Sequence, residues 1–166
     1  MFVAPDFVYP DYKKPLEGHI DSTNNTNLIQ KWHTWAKRAH GPGEGRDLAL
    51  IRLLDCLERS ASVLDLSGLN LTELPELPPG IEGLNASHNE LTALFTIPTG
   101  LECLDVSHNL LEYLPSIPST LQELNIAHNK FETLPIIDHA LQRVDISNNP
   151  LDCKIPKIIH YIWLGN

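Results

Sequence analysis

The sequence predicts a solenoid of short parallel strands, closed at its N-terminal end by a helical hairpin. Three observations predict it. The chain matches itself when displaced by 20 residues, in blocks that begin at Ala61, Ile81, Leu101, Leu121 and Leu141. Each block sets leucines at strand spacing, then an asparagine, then a proline-rich half. Upstream, two stretches with helical apolar spacing flank a breaker, His40-Gly41-Pro42-Gly43.

In chain order, residues 1–25 are expected to be a flexible N-terminal segment. They lack the basic start and long apolar stretch of a Sec-type signal peptide. Residues 26–60 form the helical cap. Leu28, Ile29, Trp32, Trp35, Ala36 and Ala39 recur at helical spacing, with Thr26 or Asn27 as N-cap. Leu48, Ile51, Leu54, Cys56 and Leu57 outline a second helix from about Glu44 to Arg59. A repeat array needs such a cover over its open first turn.

Residues 61–153 carry the repeats. Their shared pattern is L-x-x-L-x-[LIV]-[SA]-x-N-x-[LF]-x-x-L-P-x-[IL]-P, with four complete copies and a fifth that stops near Asp152. This is the spelling of a leucine-rich repeat, and the spacing has a physical reason. Leu104, Val106 and their equivalents alternate along a short strand and point inward. Asn89, Asn109, Asn129 and Asn149 end the strands, where their amides are placed to satisfy backbone groups of neighbouring turns as a ladder. The L-P-x-[IL]-P half cannot make a regular helix, so the convex face is extended or polyproline-like. The first block departs from the pattern: Leu69 stands at the ladder position and Asn70 comes one residue late, as suits a turn covered by a cap. The expected fold is a leucine-rich-repeat solenoid, with short parallel strands on the concave face, an extended convex face and an N-terminal α-helical hairpin cap.

Residues 154–166 form an apolar tail, Lys154-Ile155-Pro156-Lys157-Ile158-Ile159-His160-Tyr161-Ile162-Trp163-Leu164-Gly165-Asn166. It reads as the first buried strand of a further domain, cut short. The alternative is an improvised cap over the last repeat.

Charge separates these regions. The chain has 12 Lys and Arg against 21 Asp and Glu, a net charge of -9. Residues 61–153 hold 2 basic side chains (Lys130, Arg143) and 13 acidic ones, net -11. That balance argues against nucleic acid as a partner, because phosphate binding needs a cationic surplus. Three scattered cysteines, Cys56, Cys103 and Cys153, suit a reducing compartment better than a disulfide framework. No apolar run approaches the roughly 18 residues of a membrane helix.

Two resemblances follow from named residues. Trp32-x-x-Trp35, Ala39, Glu44-x-Arg46, Ala49, Arg52-Leu53, Cys56-Leu57 and L-D-L-S-G-L-N-L-T-E-L-P resemble the leucine-rich-repeat effectors of bacterial type III secretion systems, the IpaH-like group. The resemblance implies an export signal in the N-terminal segment and secretion by a bacterium. It also implies action in the host cytoplasm, and a concave face that binds a host protein. Many members of that group continue into a cysteine-dependent ubiquitin ligase domain, for which residues 1–166 leave no room. The tail from Ile155 to Gly165 is similar to the opening strand of large-toxin-type nucleotide-sugar glycosyltransferases, which implies a nucleotide-stacking role for Trp163. The D-x-D metal motif of that family does not occur here. The alternative function is therefore the target-recognition fragment of a glycosyltransferase effector.

No catalytic residue, cofactor or metal is expected within residues 1–166. The expected partner-binding residues lie on the concave face: Asp65, Asn85, Cys103, Asp105, Glu123, Asn125, Arg143 and Asp145. One column of that face reads Asp, Asn, Asp, Asn, Asp. Strands about 4.8 Å apart would then hold carboxylates roughly 10 Å apart. This alternation either only relieves repulsion on a solvated sheet or forms a recognition groove for a protein with a basic patch, and recognition is preferred. His88, His108 and His128 form a second column. Stacked imidazoles can bind a metal or sense pH, but an exposed turn with interchangeable polar residues is the plainer reading. Cys103-Leu104-Asp105 spells the C-x-D of the ligase nucleophile, but inside a repeat strand, and is read as coincidence.

Overall fold

A computed structural model of the chain describes residues 22–38, 41–134 and 141–152. The tail with Trp163, and residues 1–21, lie outside the described residues.

Two helices lead. Helix α1 spans Ser22–Lys37 and α2 spans Arg46–Glu58. The first begins four residues upstream of the expected N-cap at Thr26. The run Ser22-Thr23-Asn24-Asn25-Thr26-Asn27 consists wholly of residues that suit a cap, so the sequence offers several starts. Leu28, Trp32, Trp35 and Ala36 form the buried stripe of α1. On α2 the buried residues are Arg46, Ala49, Leu53, Cys56 and Leu57. Ser60 takes the left-handed conformation (φ 49°) that ends α2 and turns the chain into the first strand.

Five three-residue strands follow: β1 Val63–Asp65, β2 Gly83–Asn85, β3 Cys103–Asp105, β4 Glu123–Asn125 and β5 Arg143–Asp145. They form one parallel sheet in sequence order, each strand displaced from the last by one repeat, so Leu64, Leu84, Leu104, Leu124 and Val144 align. The first four of these are at most 2% exposed, as are Leu66, Ala86, Val106 and Ile126 two residues on. Leu71, Leu91, Leu111 and Phe131 close the interior at 0%. Each such side chain is worth about 1.5–3 kcal/mol of apolar transfer, and none of it is available to a repeat without neighbours. Between the strands, the described proline-rich halves run extended or in bends, without a helix.

The asparagine ladder is built as the sequence predicts. The Asn109 amide donates to the carbonyls of Ala86 (2.9 Å), Val106 (3.1 Å) and Ser107 (3.1 Å), and its Oδ1 accepts from Leu91 N–H (3.0 Å). Asn89, Asn129 and Asn149 repeat the arrangement. One asparagine therefore fastens its own turn to the turn before it.

The first turn has no preceding repeat, and its departure from the pattern now has a cause. The cap takes the place of that repeat: Gly45 N–H donates to the Leu69 carbonyl at 2.7 Å, and Asn70 Nδ2 reaches the Gly43 carbonyl at 3.3 Å. A Cβ on Gly45 would lie 3.2 Å from Leu69, so a larger residue would push the cap off the turn. Arg46, 3% exposed, locks the junction. Its guanidinium lies over the Trp35 ring at 4.9 Å, donates to the Trp35 carbonyl at 3.0 Å, and pairs with Glu44 and Glu73, each at 3.1 Å. Burial alone would raise the Glu44 carboxyl. The Thr72 N–H bonded to it and the adjacent Arg46 outweigh that, and it sits below its ordinary value.

Candidate functional concave face

Strand alternation sends Leu64, Leu84, Leu104 and Leu124 inward, so the residues on either side of each face the opposite way. One column reads Val63, Gly83, Cys103, Glu123, Arg143 and the other Asp65, Asn85, Asp105, Asn125, Asp145, both fixed by the parallel register. All eight expected partner-binding residues therefore fall in two adjacent columns.

The acidic column has a structural duty that a charge count does not show. Oδ1 of Asp65, Asn85, Asp105, Asn125 and Asp145 each accepts the backbone N–H two residues on, at 2.9–3.1 Å. These are Asx turns, and either Asp or Asn makes them. The fold demands an oxygen at the position and leaves its charge open. Asn125 Nδ2 also donates to Asp105 Oδ2 at 3.2 Å, so the alternation bridges the carboxylate as well as spacing it. With both oxygens engaged, Asp105 is only 8% exposed. Asp65, Asn85, Asn125 and Asp145 are half-buried. Asp65 is also approached by Arg52 of α2, 3.7 Å away, whose guanidinium donates to the Asp65 carbonyl at 3.1 Å.

In the other column Arg143 pairs with Glu123 at 3.1 Å, across adjacent strands. Cys103 is buried, 7% exposed. Burial first, then the Glu123 and Glu102 carboxylates, push its thiol up to about 11. A nucleophilic cysteine needs a cationic setting that stabilises thiolate, so Cys103-Leu104-Asp105 is a piece of strand.

The histidine column stands at the rim of this face. His88, His108 and His128 stack with centroids 4.1 and 4.0 Å apart and ring planes 11° and 13° from parallel. All three residues adopt left-handed backbone, φ 54–55°, a conformation in which His and Asn are enriched among residues other than glycine. Nearly parallel rings keep their nitrogen lone pairs parallel, so stacked neighbours do not converge on one ion. Among the described residues no three His, Cys, Asp or Glu side chains are grouped to hold a metal. Burial and the two flanking imidazoles lower the affinity of His108 for a proton, against a smaller opposing pull from Asp105. The 20-residue spacing revealed the column and its stacked imidazoles, but not the left-handed backbone that carries them. The Arg52 contact was also missed, because it crosses from cap to sheet. No described helix is long and apolar enough to cross a membrane.

Comparison with known proteins agrees with this architecture. The Leucine Rich Repeat family matches residues 140–162. Outer membrane protein YopM of Yersinia pestis is 46% identical over 67 residues, which cover 40% of this chain and 16% of YopM. The E3 ubiquitin-protein ligase ipaH7.8 of Shigella flexneri is 41% identical over 70 residues, 42% of this chain and 12% of the ligase. The chain thus spans a small part of either relative. Among solved structures, the leucine-rich effector protein YopM from Yersinia pestis superposes with a TM-score of 0.73 at 41% identity, over 76% of this chain and 36% of that one. The leucine-rich-repeat domain of a Shigella effector superposes at 0.61 with 35% identity, over 79% of this chain and 68% of the domain. What the chain shares with these proteins is a leucine-rich-repeat architecture, a protein-interaction fold and not a catalytic one. The coverage of that Shigella domain, together with the repeats, the cap and the ladder, places the chain in the family of bacterial leucine-rich-repeat effectors to which YopM and the IpaH proteins belong.

Proposed function

We propose that this chain is the recognition module of a secreted bacterial virulence effector, and that its concave face binds a host protein carrying a basic patch in the host cytoplasm. The observation that carries this reading is the charge column. Asn satisfies the Asx turn at Asn85 and Asn125 as well as Asp does elsewhere, so the turns do not account for the charge of the three aspartates, and of these Asp65 alone has an ion pair among the described residues, with Arg52. With 13 acidic and 2 basic side chains in residues 61–153, the repeats present a field that would steer a cationic partner and set its orientation. The binding residues on this reading are Asp65, Asn85, Glu123, Asn125, Arg143 and Asp145, with Cys103 and Asp105 beneath them. The relatives' description as effectors supports secretion and action inside a host.

The test is the triple variant Asp65→Asn, Asp105→Asn, Asp145→Asn, which keeps every Asx acceptor and removes three charges. Its control is Glu112→Gln, Glu132→Gln, Asp152→Asn, three exposed carboxylates elsewhere on the repeats. Titrated with a lysine decapeptide at low salt, the first variant is expected to bind roughly tenfold more weakly and the control nearly as well as the parent. Equal weakening in both would leave only a diffuse acidic surface and refute the concave-face reading.

A further inference from the structure

The histidine stack ends in an opening. Gly68 occupies the same place in the first repeat as His88, His108 and His128 do in the next three. Its N–H donates to the Ser87 carbonyl at 3.0 Å, just as His88 donates to Ser107 at 3.0 Å and His108 to Ala127 at 2.9 Å. Its backbone is left-handed as well, φ 68°. A Cβ built on Gly68 would meet nothing within 4 Å. The stack therefore stops one plate short. At the far end Asn148, also left-handed at φ 54°, closes the column by contacting His128 Nε2 at 2.9 Å. At the near end no ring among the described residues covers the Gly68 side of His88.

We infer that this gap is a stacking slot for an arginine of the protein partner, the guanidinium lying flat on His88 above Gly68. The inference rests on the proposed binding of a basic partner and names the side chain that makes that binding selective. Three features point to a planar cation. The gap continues a series of plates spaced 4.0–4.1 Å apart, the separation at which a guanidinium also packs on an aromatic face. It opens on repeats of net charge -11. Glu90, exposed and two residues after His88, forms no ion pair among the described residues; its N–H bonds to the Leu71 carbonyl, which places its backbone beside the first repeat, three residues beyond Gly68. The nearby Arg52 does not oppose a second cation strongly, because Asp65 and the Asp65 and Ser67 carbonyls already engage it. A lysine ammonium carries the same charge but has no plane to stack.

The test compares decapeptides in which arginine or lysine alternates with glycine, titrated against the whole chain while the His88, His108 and His128 ring resonances are followed. Arginine is expected to bind roughly two- to fivefold more tightly than lysine and to shift the His88 ring most. Gly68→His fills the slot with a residue already accepted at three equivalent positions. His88→Asn removes the platform with a residue already accepted at position 148. Both variants should bring the two peptides to equal affinity and leave lysine binding unchanged. Equal binding of the two peptides by the parent chain would overturn the slot, as would an arginine preference that survives both variants. The slot would also be overturned if an uncharged peptide of tryptophan and glycine competed better than arginine. Failure of the concave face is distinguishable, since the triple Asp→Asn variant would then bind both peptides no more weakly than its Glu112, Glu132 and Asp152 control does.

Discussion

The asparagine ladder allows two substitutions to be ranked before either is made. In Asn109→Ala the loss is less than four hydrogen bonds suggest, because the three carbonyls keep other partners. Ala86 O still receives the Asn89 amide at 3.0 Å, Val106 O the Asn129 amide at 2.9 Å, and Ser107 O the His88 N–H at 3.0 Å. Only Leu91 N–H is orphaned. One buried unsatisfied donor costs about 1–3 kcal/mol, and the shared amide bonds add about 1 kcal/mol. The expected loss is therefore about 2–4 kcal/mol. Asn89→Ala orphans two donors, since Oδ1 of Asn89 accepts both Leu69 N–H at 3.1 Å and Leu71 N–H at 2.9 Å. It should cost about 1–3 kcal/mol more, and the loss should fall at the junction with the cap. Urea unfolding followed by tryptophan fluorescence in a Trp163→Phe background reports the cap, where Trp32 and Trp35 are buried. Amide exchange at Leu69, Leu71 and Leu91 gives the local values, which matters because repeat arrays need not unfold as one unit. If Asn109→Ala proved as costly as Asn89→Ala, the donor arm would dominate the ladder, and counting orphaned N–H groups would be the wrong argument.

Acid should weaken the fold in two stages. His108 holds its proton less readily folded than unfolded, so stability is lost as pH falls below its ordinary value of 6.5, and His108→Asn should flatten that part of a melting-temperature profile. Glu44 is depressed in the folded state, so its contribution is present above the ordinary 4.5 and disappears as pH falls through its lowered folded value. Arg46→Met should cost about 3–5 kcal/mol by chemical denaturation, because Glu44 is left buried without its cation; Arg46→Lys should recover only part of this, since an ammonium cannot both lie flat on Trp35 and reach two carboxylates. Cys56 and Cys103, both buried with thiols raised to about 11, should react with a disulfide reagent at pH 8 far more slowly in native protein than in urea. Equal rates would mean that the strands open readily.

The period made most of the fold legible. A 20-residue spacing specifies strand, ladder and interior together, because Leu104, Asn109 and Leu111 are useful only if every turn repeats them. The candidate face was legible as a set of positions. The work its residues do was not: Asp65 and Asp105 read as charges, yet a backbone N–H claims one oxygen of each, and the Asp-x-Ser spacing that marks an Asx turn was the available signal. Contacts between unlike segments were hidden for a different reason. Arg46 joins α1, α2 and the first repeat, and no periodicity links those three. The start of α1 was misplaced because six consecutive residues would each serve as its cap.

The ladder also bears on how such a protein changes length over evolutionary time. The second, third and fourth turns present the same sockets to predecessor and successor, so duplicating twenty consecutive codons adds a turn without any new junction having to be invented. The first turn alone cannot be copied inward, since Leu69 is fitted to Gly45 of the cap and offers no amide to a turn above it. Descendants should therefore differ by whole multiples of one repeat inserted after the first, and the curvature of the binding surface should be set by copy number, leaving individual substitutions to decide what it holds.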